Sequence, residues 1–158
     1  MAKILLGFMG AGKSTIARAL SADFLDMDEL IVQKIGMSIQ EYFAQYGEPA
    51  FRKIEAEVLA ECIQQDVVLS TGGGVVLSPQ NRELLARNPQ NIYLKADFET
   101  LFRRIEQDQE NQRPFYLTKS KTDLQEIFEQ RQALYEAVAT QTIDVVGKTP
   151  QEIIEEIQ

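Results

Sequence analysis

The octapeptide Gly7-Phe8-Met9-Gly10-Ala11-Gly12-Lys13-Ser14 meets the pattern G-x-x-x-x-G-K-[ST] at every required position. Glycines at this spacing let backbone N–H groups turn inward on phosphate oxygens, and a helix beginning near Lys13 adds the positive end of its dipole. Lys13 would reach the β and γ phosphates, and the Ser14 hydroxyl would face magnesium. The pattern therefore specifies a nucleotide and a divalent cation but leaves the reaction open. A glycine-rich turn with an incidental lysine is the competing account, and the apolar run before it and the helical pattern after it argue against that. The chain has no N-K-x-D guanine reader, which favours adenine.

Further on, Asp26 and Asp28 stand two residues apart after Phe24-Leu25. At an extended strand end such a pair points to one side. One carboxylate could then organise magnesium through its water shell while the other accepts a proton from an attacking hydroxyl. Alternatively, Asp28 caps a helix from Glu29 to Ile35. Arg52 belongs to a helix beginning near Glu48-Pro49, with Glu55 three residues later. The plain account of that spacing is a surface i,i+3 ion pair of small value. Arg113 precedes Pro114 in a polar stretch, and Arg131 lies in Glu129-Gln130-Arg131-Gln132-Ala133-Leu134-Tyr135. Each arginine alone is uninformative, although arginine suits a bidentate grip on a carboxylate or phosphate. Ser70-Thr71-Gly72-Gly73-Gly74 directly follows Val67-Val68-Leu69. Its glycines admit a plain turn, a second phosphate cradle, or a surface where backbone must approach a ligand closely.

These groups need a scaffold, and the chain alternates two patterns. Short β-type runs occur at Ile4-Leu5-Leu6, Phe24-Leu25, Val67-Val68-Leu69, Ile92-Tyr93-Leu94 and Ile143-Asp144-Val145-Val146. Between them, apolar residues recur at three and four, as in Phe51, Ile54, Val58, Leu59 and Ile63. Ser38 with Glu41 and Thr149 with Glu152 form capping-box patterns, Pro79 and Pro150 suit first helical positions, and Gly36 and Gly47 suit helix ends. The expected fold class is α/β, with parallel strands, right-handed crossovers and ligands at the strands' carboxyl ends. The polar stretch 107–120 reads either as a surface loop or as a mobile lid.

Bulk properties narrow the partners. A chain of 158 residues with 44% hydrophobic content suits one globular unit spanning 1–158. A net charge of -8 argues against a nucleic-acid-binding surface, so any anionic ligand requires locally gathered arginines. Cys62 reads as a small buried hydrophobe, and with no histidine there is no Cys/His pair. The run Ile4–Leu6 is too short for a signal segment or a membrane span, so a cytoplasmic chain without membrane or nucleic-acid partners is expected.

Taken in order, Gly7-Phe8-Met9-Gly10-Ala11-Gly12-Lys13-Ser14-Thr15, Asp26-x-Asp28, Gly47-Glu48-x-x-Phe51-Arg52-x-x-Glu55, Ser70-Thr71-Gly72-Gly73-Gly74, Arg113-Pro114 and Arg131-x-x-Leu134-Tyr135 resemble shikimate kinase. The resemblance runs from residue 3 to about residue 155. It implies a three-layer P-loop kinase fold, with a five-stranded parallel sheet flanked by helices, substrate-binding helices over about 28–64 and a lid over about 107–121. It further implies γ-phosphoryl transfer from ATP to the 3-hydroxyl of shikimate by a monomer using Mg2+. Under it, Gly10, Ala11, Gly12, Lys13, Ser14 and Thr15 hold the ATP phosphates, with Ser14 and Asp26 serving the metal. Asp28 is the base and binds a shikimate hydroxyl, Arg52 and Arg131 grip the carboxylate, and Glu55 orients Arg52. Gly72, Gly73 and Gly74 meet the substrate through backbone. Arg113 on the lid and Lys13 complete the catalytic set, while Arg104, Lys148 and Pro150 fall at the nucleotide's adenine end. Two departures from the family pattern stand out: an abbreviated helix after the phosphate loop, and Phe115-Tyr116 in the lid where aliphatic residues are usual.

Overall fold

In the computed structural model, residues 1–107 and 119–157 are described. Five strands form one sheet in the order β2-β3-β1-β4-β5: β1 (Lys3–Leu6), β2 (Leu25–Asp26), β3 (Val68–Ser70), β4 (Asn91–Lys95) and β5 (Gln141–Asp144). All neighbouring pairs are parallel, as the strand–helix alternation predicts. The central strand β1 is buried through Ile4, Leu5 and Leu6 and pairs with β3 on one side and β4 on the other.

The helices are α1 (Lys13–Leu20), α2 (Met27–Ile35), α3 (Ile39–Ile63), α4 (Pro79–Ala86), α5 (Phe98–Gln107), α6 (Lys121–Val138) and α7 (Pro150–Glu156), with one 3-10 turn at Val75–Leu77. Helix α1 is indeed short, at 8 residues. The cap signals fold as local chemistry dictates. Thr149 and Glu152 form the reciprocal capping box, Ser78 caps α4 ahead of Pro79, and the Ser38 hydroxyl accepts from the Glu41 N–H. Gly36 ends α2 in the left-handed conformation. Cys62 is buried in α3, as expected of a small hydrophobe.

Several expectations need correction. Helix α2 begins at Met27 rather than Glu29, and its N-cap is Asp26, whose Oδ1 accepts from the N–H groups of Asp28 (2.9 Å) and Glu29 (3.4 Å). Asp26 and Asp28 are thus not alternate residues of one extended strand, since Asp28 already lies in the first helical turn. Gly47, by contrast, ends a helix as expected: at φ 84, ψ 171 it is non-helical inside the Ile39–Ile63 span, and the helix carrying Arg52 follows it across a kink. Strand β5 runs two residues earlier than its apolar signal, because Val145 lies buried beyond the strand while Gln141 and Thr142 pair with β4 at the sheet edge. Among the described residues, no helix is long and apolar enough to cross a membrane.

Candidate active site

The loop joining β1 to α1 curls over the carboxyl end of the sheet. Gly12, at φ 91, takes the left-handed conformation that precedes α1. Lys13 Nζ donates back to the carbonyls of Gly7 (2.7 Å) and Phe8 (3.1 Å), so its ammonium arches over the loop. Ser14 Oγ donates to Asp26 Oδ2 at 3.1 Å and lies 3.4 Å from Ser70 Oγ. The first helical turn of α1, the end of β2 and the end of β3 therefore present a cluster of hydroxyl and carboxylate oxygens beside the loop. Asp26 holds this position firmly because its other oxygen caps α2. Hard oxygen donors of this kind suit Mg2+, which keeps most of its waters and takes only one or two protein ligands.

The chain after β3 supplies the second half of the site. Thr71 Oγ1 donates to Leu5 O at 2.7 Å, tying the end of β3 to β1 just before the three glycines. What surrounds those glycines explains them. A Cβ on Gly72 would lie 3.0 Å from Asp28 Oδ1 and 3.7 Å from Glu55 Oε2. One on Gly73 would lie 3.5 Å from Arg131 Nη1, 3.7 Å from the Met9 N and 3.7 Å from the Tyr135 hydroxyl. One on Gly74 would lie 2.6 Å from both terminal nitrogens of Arg52. Four side chains expected to meet an acceptor, from α2, α3 and α6, thus converge on one strip of bare backbone next to the phosphate loop.

Glu55 organises this convergence. It is 2% exposed, and both its oxygens accept from Arg52 Nη1, at 3.0 and 3.1 Å. Burial pushes its carboxyl up from the ordinary glutamate range, the Arg52 guanidinium pulls it down, Asp28 raises it and Arg131 lowers it, with the net direction upward. Arg52 also reaches Glu48 at 3.4 Å and lies over the Phe51 ring, so the pair is more than a surface i,i+3 bridge. Arg131 is 5% exposed and its guanidinium lies 6.0 Å from the centroid of Phe8, a phosphate-loop residue.

Chain and fold similarities agree with this geometry. Residues 9–158 match the shikimate kinase family. The chain belongs to the shikimate kinase family. It is 56% identical to shikimate kinase of Streptococcus gordonii over 159 residues, covering 100% of this chain and 99% of the relative. Against shikimate kinase of Lactococcus lactis it is 48% identical, covering 100% and 96%. Among solved structures, shikimate kinase from Acinetobacter baumannii in complex with shikimate matches with TM-score 0.90 at 32% identity, over 98% of this chain and 89% of that one. Shikimate kinase from Aquifex aeolicus matches with TM-score 0.83 at 31% identity, over 99% and 93%.

The remaining residues implied by the shikimate kinase resemblance are less concentrated. Arg104, on α5, donates to Gly10 O at 3.1 Å and so sits on the rim of the phosphate loop. Lys148 pairs with Glu156 at 2.8 Å and Pro150 opens α7, a helix packed against α1. Arg113 and most of the expected lid lie outside the described residues. Tyr135 received no role from the sequence, although its hydroxyl donates to the Gly73 carbonyl. Its spacing of four from Arg131 put both on one helix face, a signal that becomes readable only once Gly73 is known to lie there.

Proposed function

We infer that the chain transfers the γ-phosphoryl group of ATP to the 3-hydroxyl of shikimate, giving shikimate 3-phosphate and ADP, a step of chorismate and aromatic amino-acid biosynthesis. The observation that carries this reading is the convergence of Asp28, Arg52 and Arg131 on Gly72–Gly74 beside the phosphate loop. A substrate with one carboxylate and a hydroxyl elsewhere on the same ring satisfies all three: the arginines grip the carboxylate and Asp28 receives the hydroxyl proton.

Each group then has a task. The N–H groups of Gly10–Thr15 and the Lys13 ammonium hold the phosphates, with Lys13 exchanging its present carbonyl partners for phosphate oxygens. Ser14 and Asp26 would hold Mg2+, directly or through water, and the ion when bound supplies charge neutralisation at the transferring phosphoryl group. Glu55 keeps Arg52 aimed at the glycine strip rather than at solvent. Asp28, fixed in the first turn of α2, orients the acceptor hydroxyl and takes its proton as the new O–P bond forms. Arg113, Arg104, Lys148 and Pro150 serve the nucleotide, Arg113 from the lid. Most of the rate enhancement comes from positioning two anions, and the gathered arginines offset the chain's overall negative charge.

ADP release with Mg-ATP, measured against shikimate, quinate, gluconate and no acceptor, tests the reading. Shikimate is expected to stimulate turnover well above the others, and equal rates with and without it would overturn the assignment. Gluconate-selective turnover would favour a kinase for another polyol acid. Within the same assay, Asp28→Asn should retain ATP binding and lose turnover by at least about 100-fold. A near-normal kcat would remove Asp28 from the base role.

A further inference from the structure

Three consecutive glycines carry no side-chain bias, so their peptide planes turn at little cost. A surface that binds a ligand through backbone must nevertheless be rigid, or binding bears the cost of ordering it. Two backbone bonds close the turn around it: Val75 N–H to Gly72 O at 3.2 Å and Leu77 N–H to Gly74 O at 3.1 Å. Beyond them, Asn81 Nδ2 donates to Val75 O at 3.0 Å, and Arg82 Nη1 donates to Val76 O and Leu77 O. The carbonyl inside the glycine run, Gly73 O, accepts from the Tyr135 hydroxyl. Tyr135 is wholly buried and stacks on Tyr93 at 5.1 Å, so its hydroxyl is delivered by an immobile ring.

We propose that Tyr135 is a positioning residue for the acceptor: its hydroxyl pins the Gly73 carbonyl and so sets the Gly73–Gly74 peptide on which the acid substrate rests. This proposal rests on the function inferred above. Because a trans peptide is planar, holding the Gly73 C=O on the α6 side aims the Gly74 N–H the opposite way. The pinned peptide joins Gly73, where a Cβ would lie 3.5 Å from Arg131 Nη1, to Gly74, where one would lie 2.6 Å from both terminal nitrogens of Arg52. Arg131 precedes Tyr135 by one turn of α6. One rigid helix face therefore both presents a carboxylate-gripping arginine and fixes the floor facing it, so the distance between the two does not depend on the glycines' own conformational freedom.

The test is Tyr135→Phe in the full chain, which keeps the ring stack and removes the hydroxyl. Steady-state kinetics, calorimetric titration with shikimate in the absence of nucleotide, and thermal melting are compared with wild type and with Tyr93→Phe. For Tyr135→Phe, KM and Kd for shikimate should rise about tenfold, with KM for ATP unchanged. Tyr93→Phe, which alters the same stack, should keep both KM values. An unchanged shikimate KM in Tyr135→Phe would overturn the proposal, as would equal losses for both substrates that track a fall in Tm. If wild type itself neither binds nor phosphorylates shikimate, the functional reading fails and takes this one with it; if wild type binds and Tyr135→Phe binds as well, only this one fails. Should Tyr135→Phe not fold, glycine-labelled wild type decides by NMR. Movement of the Gly74 amide resonance on adding shikimate supports the proposal, and a resonance that stays in place overturns it.

Discussion

A methyl group on Gly74 would sit 2.6 Å from the Arg52 nitrogens, whereas one on Gly73 would meet its nearest neighbour, Arg131 Nη1, at 3.5 Å, an ordinary contact. The obstacle at Gly74 is the far end of a flexible side chain, so the expected response to Gly74→Ala is displacement of Arg52 rather than unfolding. Initial-rate kinetics should show at least a tenfold higher KM for shikimate in Gly74→Ala, with KM for ATP within about twofold of wild type and Tm nearly unchanged. Gly73→Ala should raise the same KM less; the reverse order would mean that the crowded space belongs to the ligand and not to the arginine. Glu55 gives a second prediction at this scale. Its folded carboxyl titrates above the ordinary value of 4.5, mainly because burial disfavours its charge. The folded state thus binds this proton more tightly than the unfolded chain. Its contribution to stability is complete below about pH 4.5 and is lost as pH rises through the elevated folded value. Glu55→Gln removes that titration. Urea midpoints should show wild type losing ground relative to Glu55→Gln as pH rises above about 4.5, even as the variant loses activity through a misaimed Arg52. A difference that does not vary with pH would show that Glu55 titrates alike in both states. At this scale the glycine strip and its two arginines could be singled out only through the order of motifs that resembles shikimate kinase, since each residue alone left other readings open. Tyr135 received no role, since its partner lies 62 residues away and a buried tyrosine four residues after an arginine looks like core packing.

Elements were legible where their signal is local. Caps at Ser38, Ser78 and Thr149 mark helix starts because a hydroxyl satisfies N–H groups two or three residues on, whatever the rest of the chain does. Strand bounds depend on neighbours instead. Val145 is apolar because it fills the core just past β5, and Gln141 and Thr142 are polar because their strand is at the sheet edge, so hydropathy alone placed the strand late. The Asp26–Asp28 geometry was misjudged for a related reason: β2 is only two residues long, and Asp26 ends it by capping the next helix. Gly47 tests how far the site depends on an element's shape. At φ 84, ψ 171 it occupies a region essentially closed to residues with a Cβ, even though the nearest obstacle, Pro49 Cδ, is 3.8 Å away. Gly47→Ala should therefore cost about 1–3 kcal/mol through backbone strain, measured by urea denaturation. Because the kink sets the start of the turn carrying Glu48, Arg52 and Glu55, KM for shikimate should rise with it. A substitution that costs stability but leaves that KM in place would separate the kink from the site.

Across the whole molecule, chemistry and cohesion occupy opposite ends of one parallel sheet. The groups proposed to meet ligands gather at the carboxyl ends of β1, β2 and β3, where the topology of a parallel sheet places a binding site. At the amino end of β4, two buried asparagines knit the fold together. Asn91 Nδ2 donates to Leu85 O (2.6 Å) and Val138 O (2.9 Å), joining α4 to α6, while its Oδ1 accepts from Asn88 Nδ2, which also reaches Ala2 O (2.9 Å) ahead of β1. Nothing in the sequence marks these residues, because an asparagine beside a strand usually signals a turn, and their value depends on four segments meeting at one place. Asn91→Ala would remove this donor from the Val138 carbonyl and leave Leu85 O with its backbone bond from the Asn88 N–H, at a cost of about 1–3 kcal/mol. Urea unfolding should report that loss, whereas KM for shikimate and for ATP, measured below the variant's melting range, should remain within about twofold of wild type. If either KM moved in step with stability, the two ends of the sheet would be mechanically coupled. The separation is expected because β4 is buried over its first four residues between them, and a packed strand of that kind passes on little of a defect confined to its amino end.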